Sequence, residues 1–264
     1  MMNKVYYSQA DSKWANYPYP SKTYPKATIK SSGCGPTSSA MIISSMATRI
    51  YPNEMAKLFL DNGLRASTGT SHEAFKFIAD RYNLKIKKSI YIDDAVKCLE
   101  NGGMCVAYCK AGGLFSTGGH IIVLAGVQGK NLIVYDPYLY KNKFSSGKRK
   151  CVTVRGNECI VSIANFKKYC DYTLYCYEYK ESPYKQGEFV EVHIPVQLTG
   201  AKSGRLVMVD TEGYQYWVNE SVIKDGKIIA RAQIAFAEET RCIIQIFKED
   251  PQFWCDNKYI VKKL

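Results

Sequence analysis

Ser31-Ser32-Gly33-Cys34-Gly35-Pro36-Thr37-Ser38-Ser39, running directly into Ala40-Met41-Ile42-Ile43, is the stretch on which the reading of this 264-residue chain turns. It reads as a tight, glycine-flanked turn that delivers a cysteine onto the first turn of an apolar helix. Pro36 suits a first-turn position, where its missing N–H would have had no partner. Gly33 and Gly35 remove side chains on either side of the sulfur, so the backbone can bend and a substrate can come close. A thiol at a helix N-terminus sits at the positive end of the macrodipole, which favours the thiolate, the form that acts as a nucleophile. A lone Gly-Cys-Gly is more often a small buried cysteine under a helix start, so partners elsewhere must decide.

The chain has three histidines. His120 follows Gly118-Gly119 at the mouth of the apolar run Ile121–Val127, and Leu132-Ile133-Val134-Tyr135-Asp136-Pro137 reads as a second strand. Gln128-Gly129-Lys130-Asn131 between them is a turn signal, so the two runs predict a hairpin. That hairpin can bring Asp136, at the end of one strand, beside His120, at the start of the other. A carboxylate there would hold the imidazole in the tautomer that exchanges a proton with sulfur. Gln9, in Gln9-Ala10-Asp11-Ser12-Lys13-Trp14, supplies an amide able to stabilise an oxyanion. His72 falls on an exposed first helical turn and reads as structural.

Taken in order, Gln9, the Gly33–Ser38 turn, Gly119-His120 before an apolar strand and Asp136-Pro137 resemble the C39-like cysteine peptidases, a branch of the papain-like superfamily. The resemblance covers roughly residues 3–180. It implies Cys34 as nucleophile, His120 as general base and acid, Asp136 as the orienting residue and Gln9 as the oxyanion donor. Gly33, Gly35, Gly119 and Trp14 are the expected substrate contacts. Leader peptidases of this family carry an acidic residue directly before Cys-Gly, where this chain has Gly33.

Composition sets the bounds. Apolar residues make up 46% of the chain, enough for ordinary globular cores, and no run reaches the length of a transmembrane helix. Met1–Tyr7 lacks the apolar run of a secretory signal, so the expectation is a cytoplasmic product with its ten cysteines reduced. No Cys-x-x-Cys pair occurs, and neither a metal nor another cofactor is expected. Residues 1–180 hold 25 Lys and Arg against 12 Asp and Glu, an excess of +13, whereas residues 181–264 hold 11 against 12, or −1. The basic half suits polyanionic surroundings such as anionic wall polymers. No zinc-finger or RNP-type motif points to specific nucleic-acid binding.

The rest of the chain fits an α+β reading. Helices are expected over 53–60, from the capping-box spacing of Thr70-Ser71-His72-Glu73 onward, over 93–99 and around 164–169. Strands are expected over 104–109 and 171–179. Lys141–Lys150, five basic residues with no acid, reads as a solvated loop that near a cleft could hold an anion. Apolar periodicity lapses at Lys180–Lys185, which divides a peptidase domain of residues 1–180 from a small all-β domain of residues 186–264. By size and position the latter resembles the SH3-like modules of wall hydrolases, with Tyr214, Tyr216 and Trp217 as a candidate wall-binding face.

Together these features predict a papain-like cysteine peptidase or amidase followed by an SH3-like barrel. The expected task is amide cleavage in peptidoglycan, as in a phage-type endolysin. Two other readings stay open: a cysteine protease acting inside the cell on a protein substrate, and a papain-like scaffold that only binds, with Cys34 silent. The oligomeric state is not readable.

Overall fold

The structure is a computed structural model that describes residues 4–179 throughout and, beyond them, the strand segments lying between residues 189 and 263. The chain divides into two compact units, Asn3–Tyr179 and Lys180–Leu264. In the first unit α1 (Ile29–Ser32), α2 (Cys34–Met46), α3 (Pro52–Asp61) and α4 (Glu73–Arg81) precede β1 (Leu84–Ser89) and α5 (Ile92–Glu100). Then come β2 (Met104–Cys109), β3 (His120–Gln128) and β4 (Asn131–Tyr135). A 3-10 turn (Gly147–Cys151), β5 (Thr153–Arg155), β6 (Glu158–Ser162), α6 (Ile163–Tyr169) and β7 (Tyr172–Tyr179) complete the unit.

The seven strands form one sheet in the order β1-β7-β2-β3-β4-β6-β5, and every neighbouring pair is antiparallel. Both faces of its centre are covered, which is why Met104–Cys109 and Ile121–Val127 read as continuous apolar runs rather than alternating ones. Met104, Val106, Ile121, Val123 and Ala125 face a core shared with the first four helices. Cys105, Ala107, Cys109, Ile122 and Leu124 face a second core closed by α5 and α6. Helix α2 carries no charged residue, only small hydroxyls among its apolar side chains, so it can be buried on every side. Accordingly α2 is buried over most of its length, and Met41, Ile42 and Ile43 are each fully buried. Each such side chain contributes about 1.5–3 kcal/mol.

The hairpin expected between residues 120 and 135 is present, with Gln128 paired to Asn131 and Gly129 at φ +57°, where glycine has no steric penalty. The four expected helices also form. The capping box at Thr70 does not: α4 starts at Glu73, and the Thr70 hydroxyl is 2.9 Å from the Tyr19 hydroxyl in a buried contact. Ser71 takes over at the helix start, receiving the Glu73 backbone N–H at 3.1 Å. β1, β5, β6 and α1 had no counterpart in the sequence reading.

In the second unit the strands are β8 (Phe189–Pro195), β9 (Gly204–Val209), β10 (Gln215–Glu220), β11 (Val222–Lys224), β12 (Lys227–Gln233), β13 (Arg241–Ile246), β14 (Phe253–Trp254) and β15 (Ile260–Lys263). They pair into two four-stranded antiparallel sheets, β10-β9-β13-β14 and β11-β12-β8-β15. Tyr214 lies outside the described residues. Tyr216 and Trp217 fall on β10 in register with Met208 and Val207, and their side chains are likewise outside the description.

Candidate active site

The surroundings of Cys34 begin with two helices in succession. α1 ends at Ser32, Gly33 is the single linking residue, and Cys34 is the first residue of α2. Gly33 has φ −93° and ψ 18°, a conformation open to any residue, so it is not the sharp turn the sequence suggested. Space is what demands glycine there: a Cβ would lie 2.5 Å from the Ile29 carbonyl oxygen. At Gly35 a Cβ would lie 2.0 Å from Thr70 Oγ1. Both glycines therefore let the helix start pack against the protein, a role additional to the substrate contact expected of them. Further along α2 the Ser38 hydroxyl donates to the Ile121 carbonyl at 3.0 Å, tying the helix to the start of β3.

His120 opens β3, and Asp136 is the first residue beyond β4. His120 Nε2 lies 2.8 Å from Asp136 Oδ1, with both residues buried. With Nε2–H donated to the carboxylate, Nδ1 is left for the Cys34 thiol, which is hydrogen-bonded to the ring. Asp136 accepts two more bonds: Oδ1 from the Tyr138 backbone N–H at 2.9 Å, and Oδ2 from Lys143 Nζ at 2.5 Å. Lys143 Nζ also donates to the Tyr138 carbonyl at 2.8 Å and lies 5.5–5.9 Å from the ring centres of Tyr138, Tyr140 and Phe144.

Lys143 is the site residue that sequence reasoning missed. It belongs to the basic run read as a solvated loop, yet its side chain is only 3% exposed. The available signal was Phe144 beside it and two tyrosines shortly before it, an aromatic setting unusual for a solvated charge.

The electrostatics follow from this geometry. Burial alone would raise the Asp136 carboxyl, but the charges and hydrogen bonds of His120 and Lys143 outweigh it and hold the group below the usual carboxylate range. Burial would lower the His120 imidazole. Asp136 and Cys34 reverse that and push it up to about 9. Burial likewise opposes ionisation of Cys34, and it is overcome by the hydrogen bond and charge of His120 together with backbone N–H groups of Ile121 and Gly35, so the thiol falls below its ordinary value. Three charges thus alternate in a line, carboxylate, imidazolium and thiolate.

Cys34 and His120 open into a cleft of about 410 Å³, also lined by Gln9, Lys30, Tyr108, Gly119 and Tyr138. Gln9 is fixed at both ends: its backbone N–H donates to the Pro137 carbonyl at 2.7 Å, and its Nε2 donates to the Lys30 carbonyl at 2.8 Å. One Nε2 hydrogen remains, and Gln9 Oε1 is buried without a partner among the described residues. Trp14 is not at the cleft. It is buried, donates Nε1–H to the Ser8 carbonyl at 2.7 Å and packs on Tyr7 and Tyr51, so its expected substrate contact is corrected to a structural one. His72 stacks on Tyr108 at 4.2 Å and pairs with the Tyr175 hydroxyl.

Among solved structures, the chain is similar to a C39-like peptidase from Bacillus anthracis at 12% identity and a TM-score of 0.40, over 67% of this chain and 96% of that one. It is similar to the peptidase domain of Streptococcus ComA, a bifunctional ABC transporter of a quorum-sensing pathway, at 14% identity and a TM-score of 0.38, over 56% and 92%. A double-glycine-motif protease from an AMS/PCAT transporter, in complex with the leader peptide, matches at 17% identity and a TM-score of 0.37, over 56% and 84%. No curated protein matches the chain. The peptidase C39-like family model matches residues 3–157, more than half of the sequence, and the chain belongs to that family.

Proposed function

We propose that this chain is a cysteine peptidase in which Cys34 attacks an amide carbonyl and forms a thioester. The observation that carries the reading is the line Asp136–His120–Cys34, in which the thiol is more acidic and the imidazole more basic than usual. In the first step the thiolate adds to the carbonyl carbon. The Cys34 backbone N–H at the start of α2 and the remaining Gln9 Nε2 hydrogen receive the oxyanion. His120 then gives its Nδ1 proton to the departing amine. In the second step His120 takes a proton from water, hydroxide displaces sulfur, and the acid leaves with the thiolate restored.

Two predictions arise directly. Gln9→Ala is expected to lower kcat about 10²-fold or more, because it removes a donor aimed at charge that exists only in the transition state. Steady-state kinetics on a peptide substrate would check this, since a rise in KM alone would mark Gln9 as a substrate contact. The pH profile of kcat/KM should be bell-shaped. On the acid side activity rises as Cys34 ionises, below the ordinary thiol value, and on the alkaline side it falls as His120 loses its proton at about 9. A profile still rising beyond that point would contradict the thiolate–imidazolium pair.

For the substrate, the proposal is a peptide bond of the bacterial wall, as in an endolysin, with residues 186–264 acting as an SH3-like anchor through Tyr214, Tyr216 and Trp217. What supports it is the +13 excess on residues 1–180, suited to an anionic wall, beside a near-neutral β unit. The test is digestion of purified peptidoglycan in parallel with an unfolded acidic protein, with the new termini identified by mass spectrometry. Intact peptidoglycan beside a cleaved protein would replace the wall reading by that of a protease acting on proteins.

A further inference from the structure

We propose that Cys98, Cys105 and Cys176 form a metal site, a three-thiolate seat for monovalent copper set apart from the catalytic residues. The three sulfurs come from α5, β2 and β7 and all lie within 4.8 Å of one another. A metal–sulfur bond of about 2.3 Å in a trigonal set gives sulfur–sulfur edges of about 4 Å, so a contraction of less than about 1 Å closes the site. Cys105 and Cys176 face each other directly across the β2–β7 ladder, and Cys98 covers them from the helix.

The turn between α5 and β2 is shaped around the cluster. Gly102 has φ +80°, and a Cβ on Gly103 would lie 2.6 Å from Cys98 Sγ and 2.4 Å from the Tyr177 carbonyl oxygen. A side chain at 103 would thus displace Cys98 from the other two. Cys98 Sγ lies 3.3 Å from the Tyr177 carbonyl and 3.8 Å from that of Met104, and Cys105 Sγ lies 3.9 Å from that of Ala95. Those weak thiol contacts are given up when metal replaces the protons.

The donor set selects the ion. Three thiolates are a soft set, which suits monovalent copper, zinc or iron–sulfur chemistry. Zinc in a closed structural site takes four ligands. Among the described residues no fourth histidine, cysteine or carboxylate joins the group. Monovalent copper is satisfied by three sulfurs and needs no fourth. Binding exchanges three S–H protons for one copper ion, the protons leave to solvent, and no oxidation occurs. Cys98 and Cys176 are each 3% exposed and Cys105 not at all, so a bound ion would be shielded from water. The sequence reading missed the cluster because it weighed cysteine pairs close in sequence, whereas strand pairing brings residue 176 to residue 105.

The experiment uses the full chain, reduced and free of oxygen, titrated with Cu(I) held by a colorimetric chelator. The Cys34→Ala variant is run beside it so that the reactive thiol cannot supply the signal. Both should withdraw one equivalent of copper. Cys109→Ala and Cys170→Ala should do the same, whereas Cys98→Ser, Cys105→Ser and Cys176→Ser should bind about 100-fold more weakly with unchanged far-ultraviolet circular dichroism. X-ray absorption of the copper-loaded Cys34→Ala protein should show three sulfurs, a readout that stands even if the serine variants misfold. Copper left with the chelator, copper retained by folded Cys176→Ser, or fewer than three sulfurs around the metal would each overturn the assignment. So would a site that keeps zinc and releases copper.

Discussion

Cys34→Ala should fold normally and lose turnover by about 10⁴-fold or more, the scale on which a nucleophile acting as part of a catalytic unit is missed. The substitution removes one sulfur from a half-buried position at the start of α2 and leaves the Ser38–Ile121 tie in place. A melting temperature close to that of the parent would show that activity, not structure, has been removed. The same group should stand out chemically. Cys34 and Cys151 are the two described cysteines with appreciable exposure, and burial raises the Cys151 thiol while His120 lowers that of Cys34. Iodoacetamide at neutral pH should therefore label Cys34 well before Cys151, because the thiolate is the reacting form. Equal rates at the two residues, or a folded Cys34→Ala protein that still cuts, would remove the mechanism.

The second large effect falls on stability. Asp136→Ala should destabilise the protein by about 3–5 kcal/mol, because Lys143 would keep a buried ammonium without its counter-charge. Asparagine is not a mild replacement. The carboxylate accepts from His120, from the Tyr138 N–H and from Lys143, using both oxygens. An amide has one acceptor oxygen, so its NH2 group must face either Lys143 or the His120 and Tyr138 donors. Chemical denaturation of Asp136→Ala, Lys143→Met and the double variant separates the contributions. Removing both charges should recover part of the lost stability without restoring turnover, and strictly additive losses would deny the pair its role.

Helix α2 and the β3–β4 hairpin were legible because their signals are local: Pro36 at a first-turn position ahead of the apolar Ala40–Ile43, and a two-residue turn between two apolar strands. Cys34, His120, Asp136 and Gln9 could be named because each stands in a local motif and their order along the chain resembles that of the C39-like peptidases. β1 was not legible. Of Leu84–Ser89 only the two end residues are buried and three of the others are lysines, so no period-two pattern survives. Lys143 escaped for the opposite reason, since most of the basic run around it is exposed while its own side chain turns inward to Asp136. Thr70 shows the same competition, its hydroxyl being drawn from a helix cap to Tyr19 by a contact 51 residues away. The three-cysteine cluster depends on strand register, which no local pattern reports.

The hairpin that joins His120 to Asp136 also bears on the order in which the protein is built. Those two residues are 16 apart in sequence and meet through one tight turn, a contact that chains form within about 1–10 μs. Cys34 is 86 positions from His120, and closing that longer loop costs about 1.5 kcal/mol more entropy. The base and its carboxylate can therefore be in place while the thiol is still remote and of ordinary acidity. On the proposed mechanism nucleophilicity arrives only when α2 docks on β3, so a nascent or partly folded chain has no activated sulfur with which to attack its neighbours.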